Sequence, residues 1–468
     1  MKLHVIALAA VAAFAGSAHA VKPTAAQAAA APFQLNIHGS SALQKLVEGM
    51  ISQNCDVPAD FAIWRSAKQG WFGSSTADTA DGASANTYSC VMKAGNDFGP
   101  TYDNQLVTIY KREAGGSSQG VYPVAKRAAV AANNQRSMLF SACDATADTQ
   151  AGGTYGLCTG ESTALPDMGI SDQEPAVYST SINRATAFPS TLIVNEATEF
   201  EGGAAVPFAQ AVMGIVVNDK LYADLQADQG TSGVPSVSSI GFANLWTGSY
   251  NTASAWNPLC KDPYNCSALT LVNTNINLAV RAIGSGTRAA AGLFFNNTPS
   301  GKVSKQWAGG STTNSFSAAV TGGRSVFNAS SGGNVVGALD ACGDGTAASP
   351  RYCIGILGRE TDLTGKKVKF VNVDNSAPDT AKIGGYGIVY EATYQISSAA
   401  PAAAKALGAA FGSAAAKPVN INQAFNGLGV LALPGACGAT FPYVGVEAIV
   451  CSRVTRNGSS NNTLSIVK

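Results

Sequence analysis

Arg281-Ala282-Ile283-Gly284-Ser285-Gly286-Thr287 follows an apolar run (Ile276, Leu278, Val280) and precedes Ala289, Ala290, Leu293 and Phe294 at helical spacing. That order predicts a strand, a tight Gly/Ser turn and a helix start. Such a turn gathers backbone N–H groups, two hydroxyls and the positive end of a helix dipole at one point, with a guanidinium beside it, which suits an anion. The same composition also serves as a plain helix cap. The rest of the chain has to separate these readings.

The pattern recurs three times. Phe33 to Ile37 reads as a strand, and after Gly39-Ser40-Ser41 the residues Ala42, Leu43, Leu46, Val47, Met50 and Ile51 recur at helical spacing. Gln105 to Arg112 alternates as a strand and leads into Glu113-Ala114-Gly115-Gly116-Ser117-Ser118-Gln119-Gly120, then Val121, Val124 and Ala125. Met168-Gly169-Ile170-Ser171-Asp172 is an apolar run that ends in a small residue and a carboxylate before Pro175. Four polar turns thus fall at the carboxyl ends of predicted strands, where open α/β sheets bind ligands. An α/β fold is expected.

Composition narrows the class. Charged residues make up 13% of the 468, against about 25% in a typical domain, and the formal net charge is +1. No basic footprint for nucleic acid or anionic lipid is visible. The start, Met1-Lys2-Leu3, then Val5 to Ala15, then Ala18-His19-Ala20, has the form of a signal peptide over 1–20 with cleavage after Ala20. No cysteine lies near that junction, and no later segment reaches the roughly 20 apolar residues of a membrane helix. The expectation is an exported protein without a membrane anchor, periplasmic or secreted. Residues 21–32 are low complexity and are expected to form a loose leader.

Ten cysteines in an exported chain favour disulfides over metal ligation. The simplest pairing joins neighbours: Cys55 with Cys90, Cys143 with Cys158, Cys260 with Cys266, Cys342 with Cys353, and Cys437 with Cys451. Zinc is disfavoured by the lack of Cys-x-x-Cys spacing and by a lone histidine, His38, after the signal peptide. The Gly/Ser/Thr/Asn-rich stretches Gly73 to Thr87 and Asp144 to Glu161 are expected to be stapled surface insertions. Phe208 to Asn218 and Ile383 to Tyr390 read as apolar strands, Ala399 to Ala416 as an Ala-rich helix, and Val430 to Pro434 as the last clear apolar run.

The four turns, in this order, resemble those of the phosphate-binding proteins of bacterial ABC importers, a branch of the periplasmic solute-binding superfamily. The resemblance spans Phe33 to Tyr390 and rests on Gly39-Ser40-Ser41-Ala42, Gly116-Ser117-Ser118-Gln119-Gly120, Ile170-Ser171-Asp172-Gln173-Glu174-Pro175 and Arg281 to Thr287. Weaker echoes are Ala243 to Gly248 with Trp256, and Gly333-Asn334 followed by Ile354-Gly355. The resemblance implies a two-lobed fold with a discontinuous first lobe, 33–211 with 384–468, and a second lobe, 212–383. The chain would cross the hinge near Phe208 to Gly214 and near Gly384 to Tyr390.

By the same resemblance, Ser41, the Ala42 amide, Ser117, Asp172, Arg281, Ser285, the Gly286 amide and Thr287 would hold inorganic phosphate or a similar oxyanion, without a cofactor. The register of the first turn leaves Ser40, Ser41 and Ala42 interchangeable by one position. A monomer working with an importer permease is the implied setting. The chain departs from the family at Ile283, where an acidic residue accompanies the arginine, and at Arg288, which adds a cation after Thr287.

Asp172 would discriminate among anions. A buried carboxylate beside an anion is costly unless it accepts a proton from the ligand, which phosphate offers near neutral pH and sulfate does not; a mismatch there costs about 1–3 kcal/mol. Two other classes compete. Gly116-Ser117-Ser118-Gln119-Gly120 matches the Gly-x-Ser-x-Gly elbow of serine hydrolases with Ser118 as nucleophile, but that fold needs a histidine later in the chain, and His38 precedes Ser118. Low charge and Gly/Ser/Thr-rich insertions would also suit an exported structural or adhesive protein that binds no oxyanion.

Overall fold

The computed structural model describes residues 22–66, 85–113, 115–127, 136–138, 143–148, 155–158, 161–181, 183–185, 188–247, 256–271, 275–296, 316, 324–343, 351–438, 441–460 and 462–467. The signal-peptide segment 1–20 and residues 73–84 of the first insertion lie outside them.

The fold is mixed α/β, organised by a 14-stranded sheet. From one edge its strands are Arg324–Ala329, Ile276–Arg281, Cys353–Gly358, Val206–Asn218, Val389–Ile396, Met168–Ser171, Phe33–Gly39, Leu106–Arg112, Ala85–Val91, Ala62–Ser66, Tyr155–Cys158 and Cys143–Asp148. Val368–Phe370 and Val430–Ala432 pair with Val206–Asn218 off this path. Phe33–Gly39 runs parallel to both Leu106–Arg112 and Met168–Ser171, with Ile37 opposite Lys111 and Met168. Ile276–Arg281 is parallel to both of its neighbours. Between these groups, Val206–Asn218 and Val389–Ile396 pair antiparallel to each other and to the strands beside them. The two parallel groups therefore run in opposite directions.

Two large cores form on the sheet. One gathers Leu35, Ile37, Val47, Ile51, Tyr88, Ile109, Ile170 and Phe411, the other Ile215, Val217, Trp246, Trp256, Leu278, Val280, Ile354 and Tyr390. Full burial of each large apolar side chain stabilises the fold by about 1.5–3 kcal/mol. Val206–Asn218 spans both, with Phe208 and Ala209 in the first and Ala211, Val212, Met213, Ile215 and Val217 in the second. It is buried from Phe208 to Asn218, so its apolar run is continuous where a half-buried strand would alternate. The Ala-rich helix forms over Ala402–Ala415 and buries Ala404, Leu407, Phe411, Ala414 and Ala415 at three- and four-residue spacing. The Tyr394 ring packs where a Cβ on Gly412 would stand, 2.3 Å from that point.

Three local expectations are corrected. The 21–32 leader contains the helix Ala25–Ala29, started by a capping box between Thr24 and Gln27. Its Ala28 is buried with Ala62, Trp64, Ala85 and Cys158, so small-residue composition here marks close packing, not looseness. Residues 378–383 form a 3-10 turn ended by Gly384 at φ +83°, and the strand begins only at Val389. The glycines at 384, 385 and 387 cap and turn the chain before it can extend. The second insertion is not simply surface loop, since Cys143–Asp148 and Tyr155–Cys158 extend the main sheet through Ala62–Ser66.

Four of the expected disulfides are formed: Cys55–Cys90, Cys260–Cys266, Cys342–Cys353 and Cys437–Cys451. Cys158 is also disulfide-bonded, and strand register places Cys143 opposite it. Among the described residues, no helix is long and apolar enough to cross a membrane.

Candidate functional site

The two parallel groups meet at their carboxyl-end turns. Gly39, Gly116 and Gly284 take φ values of +104°, +73° and +97°, the left-handed region that glycine enters without strain. They let three turns change direction within one residue of their strands or loops. A Cβ on Gly39 would lie 2.1 Å from the Ile170 carbonyl and 2.7 Å from Gly120 Cα, so the first, second and third turns pack backbone to backbone. The fourth turn docks on the second: Ser118 N–H donates to the Gly284 carbonyl at 2.9 Å. A Cβ on Gly116 would lie 3.0 Å from Gly284 O and Ser285 Cα.

Asp172 sits at the junction, buried. Its Oδ1 accepts from Ser40 Oγ, and its backbone N–H donates to Ser117 Oγ at 3.4 Å. A Cβ on Gly286 would come within 2.4 Å of Asp172 Oδ2, so the helix Gly286–Asn296 presents its N-terminus directly to this carboxylate. Burial raises the Asp172 pKa, opposed by the Ser40 and Ser117 hydrogen bonds and by the charges of Arg281 and Lys111. The neighbouring Gln173 Nε2 donates to Gly286 O at 3.4 Å, a second link between the third and fourth turns.

The structure thus brings Ser117, Asp172, Arg281, Ser285, Gly286 and Thr287 to one buried region, with Ser41 and Ala42 half-buried beside it. In the first turn it is Ser40, not Ser41, that is buried and bonded to Asp172. Arg281 stands at its strand end, and one terminal nitrogen donates to Ser330 O at 3.2 Å. Arg288 turns inward, donating to the Arg281 backbone carbonyl at 3.2 Å, so it braces the fourth turn from behind.

Three functional neighbours escaped the sequence reading. Lys111 is buried and its ammonium donates to Gly39 O at 2.6 Å, Ser40 O at 3.1 Å and Arg112 O at 3.2 Å. Its signal was a lysine in the predicted strand immediately before a Gly/Ser turn. Gln173 is the second. Glu360, from the loop after Cys353–Gly358, is the third: its Oε2 is sealed from solvent without a hydrogen-bond partner among the described residues. Its side chain folds back over Gly358, where a Cβ would lie 2.1 Å from Oε2. Burial pushes the Glu360 pKa up to about 8, Asp172 adding to the rise while the charges of Lys45 and Arg281 oppose it. Glu360 thus lies within reach of the charge of Arg281, whose own turn carries Ile283 in place of an acidic residue.

Ser118 Oγ is buried and, among the described residues, has no hydrogen-bond partner. His38 is buried on Phe33–Gly39, and burial together with the charges of Arg112 and Lys111 holds its pKa well below the usual imidazole value. Among the described residues, no group of three or more His, Cys, Asp or Glu side chains could hold a metal.

No family model matches the chain, and neither does any curated protein. Among solved structures, the chain is similar to an ABC-type phosphate transport receptor from Vibrio cholerae, at 10% identity and TM-score 0.36, over 81% of this chain and 93% of that one. It is also similar to a Clostridium perfringens protein solved with bound phosphate, at 10% identity and TM-score 0.40, over 84% and 98% of the two chains. A third similar structure is PstS from Borrelia burgdorferi, at 13% identity and TM-score 0.34, over 84% and 95%.

Proposed function

We propose that this chain is an exported solute-binding protein that captures an inorganic oxyanion, phosphate before others, between two lobes. The lobes are 33–211 with 384–468, and 212–383. Ser41, the Ala42 amide and Ser117 donate to the anion from the first lobe. Arg281, Ser285, the Gly286 amide and Thr287 donate from the second, and binding draws the lobes together.

The observation that carries this reading is the convergence of four Gly/Ser turns on the buried Asp172. Hydroxyls, turn amides, one guanidinium and a helix N-terminus can replace the hydration of a dianion without a metal. Asp172 adds selectivity by accepting a ligand proton. A ligand with no proton to give would face an unmatched carboxylate, at a cost of about 1–3 kcal/mol.

Export through the signal peptide, a monomeric state and delivery of the anion to an importer permease complete the proposed role. The reading is tested by titrating phosphate into the oxidised protein and its Arg281→Ala and Asp172→Ala variants. Loss of at least tenfold in affinity in each folded variant is expected. Equal binding by all three would contradict the site.

A further inference from the structure

We propose that Lys111 is a positioning residue of the oxyanion site, holding the first turn in its anion-facing orientation from behind. This rests on the oxyanion reading of that site. The ammonium is buried and bonds the carbonyls of Gly39 and Ser40 together. The peptide between Ser40 and Ser41 is planar and trans, so a carbonyl turned toward Lys111 sends the Ser41 N–H the opposite way. Ser40 N–H is meanwhile committed to the Ile170 carbonyl at 2.9 Å, and its hydroxyl to Asp172. One side chain thus sets the orientation of successive peptides in the turn.

The ammonium also contributes charge. It interacts favourably with Asp172 and Glu113 and unfavourably with Arg112, and His38 lies within reach of its field. Burial lowers the Lys111 pKa to about 8 against the opposing pull of Glu113 and Asp172, so its charge fades just above neutral pH. A positive charge retained behind the turn favours an anion in front of it.

The test uses phosphate titrations of the unmodified protein, Lys111→Met and Lys111→Gln from pH 7 to about 9, beside melting curves. Glutamine keeps a donor for the carbonyls and removes the charge, so it remains informative if methionine prevents folding. Expected are roughly tenfold weaker binding in folded Lys111→Gln at pH 7, a larger loss in Lys111→Met, and a shallower fall of affinity with pH in both than in the unmodified protein. Comparing proteins at each pH cancels the ionisation of phosphate itself. If both variants bind as the unmodified protein does, or share its pH dependence, the role of Lys111 is overturned. If the unmodified protein binds no phosphate, the oxyanion reading falls and this inference falls with it.

Discussion

Ser40 and Asp172, 132 residues apart in sequence, are hydrogen-bonded across the first and third turns, with Ser40 Oγ donating to Asp172 Oδ1. The hydroxyl gives this carboxylate one of its few remaining partners after burial. It also ties Phe33–Gly39 to the loop after Met168–Ser171 at the point where the fourth turn arrives. A charged group in such a place is retained at a cost to stability, and that cost can be measured.

Replacing Asp172 by Asn removes the ionisation and keeps an oxygen for Ser40. Because the folded-state pKa of Asp172 is raised by burial, the native state holds its proton more tightly than the unfolded chain. Its contribution to stability therefore declines as pH rises from the ordinary carboxylate range through the raised value. Asp172→Asn should melt about 3 °C higher at neutral pH and show no gain in acid. Its preference for phosphate over sulfate should shrink at least tenfold. Melting curves across pH and paired titrations check both parts.

Glu360 is expected to show the same sign over a wider window. Its folded pKa of about 8 stands above the ordinary glutamate value of 4.5, so the stability associated with its protonated form is lost between those limits as pH rises. Glu360→Gln should match the unmodified protein near pH 4 and melt higher by a few degrees near pH 9. A difference that grows toward acid would contradict the assignment.

Two glycines of one helix should behave oppositely. On Gly286 a Cβ would stand 2.4 Å from Asp172, whereas nothing lies within 4 Å of one on Gly292. Gly286→Ala must push the helix N-terminus from the carboxylate, at a cost of about 1–3 kcal/mol, and should weaken phosphate binding by a hundredfold or more. Gly292→Ala should leave binding unchanged and stabilise the protein by about 0.5–1 kcal/mol. Calorimetric titration and chemical denaturation of the two variants give the comparison.

Strand-turn-helix grammar was legible because each turn couples a change of period to a small-residue break. Ile276–Arg281 followed by Gly286–Asn296 is the clearest case. Neighbour pairing of cysteines was likewise readable. The one-residue register of the first turn was not, since Ser40 and Ser41 are chemically equal and only the approach of Asp172 from a distant strand distinguishes them. Glu360 could not be read beside Arg281 either, because their proximity comes from the sheet order, in which Cys353–Gly358 lies next to Ile276–Arg281. Lys111 could not be singled out either, because only parallel pairing with Phe33–Gly39 places it under the first turn. At residues 21–32, composition misled: small side chains that suggest disorder also suit a helix packed against a sheet.

The central claim is that the four turns form an oxyanion site in which Asp172 reads the proton on the ligand. Isothermal titration of the oxidised mature protein with phosphate, arsenate and sulfate near neutral pH tests it most directly. The account predicts micromolar or tighter binding of phosphate and arsenate, with sulfate weaker by at least tenfold. No heat from any of the three, or sulfate bound as tightly as phosphate, would contradict it.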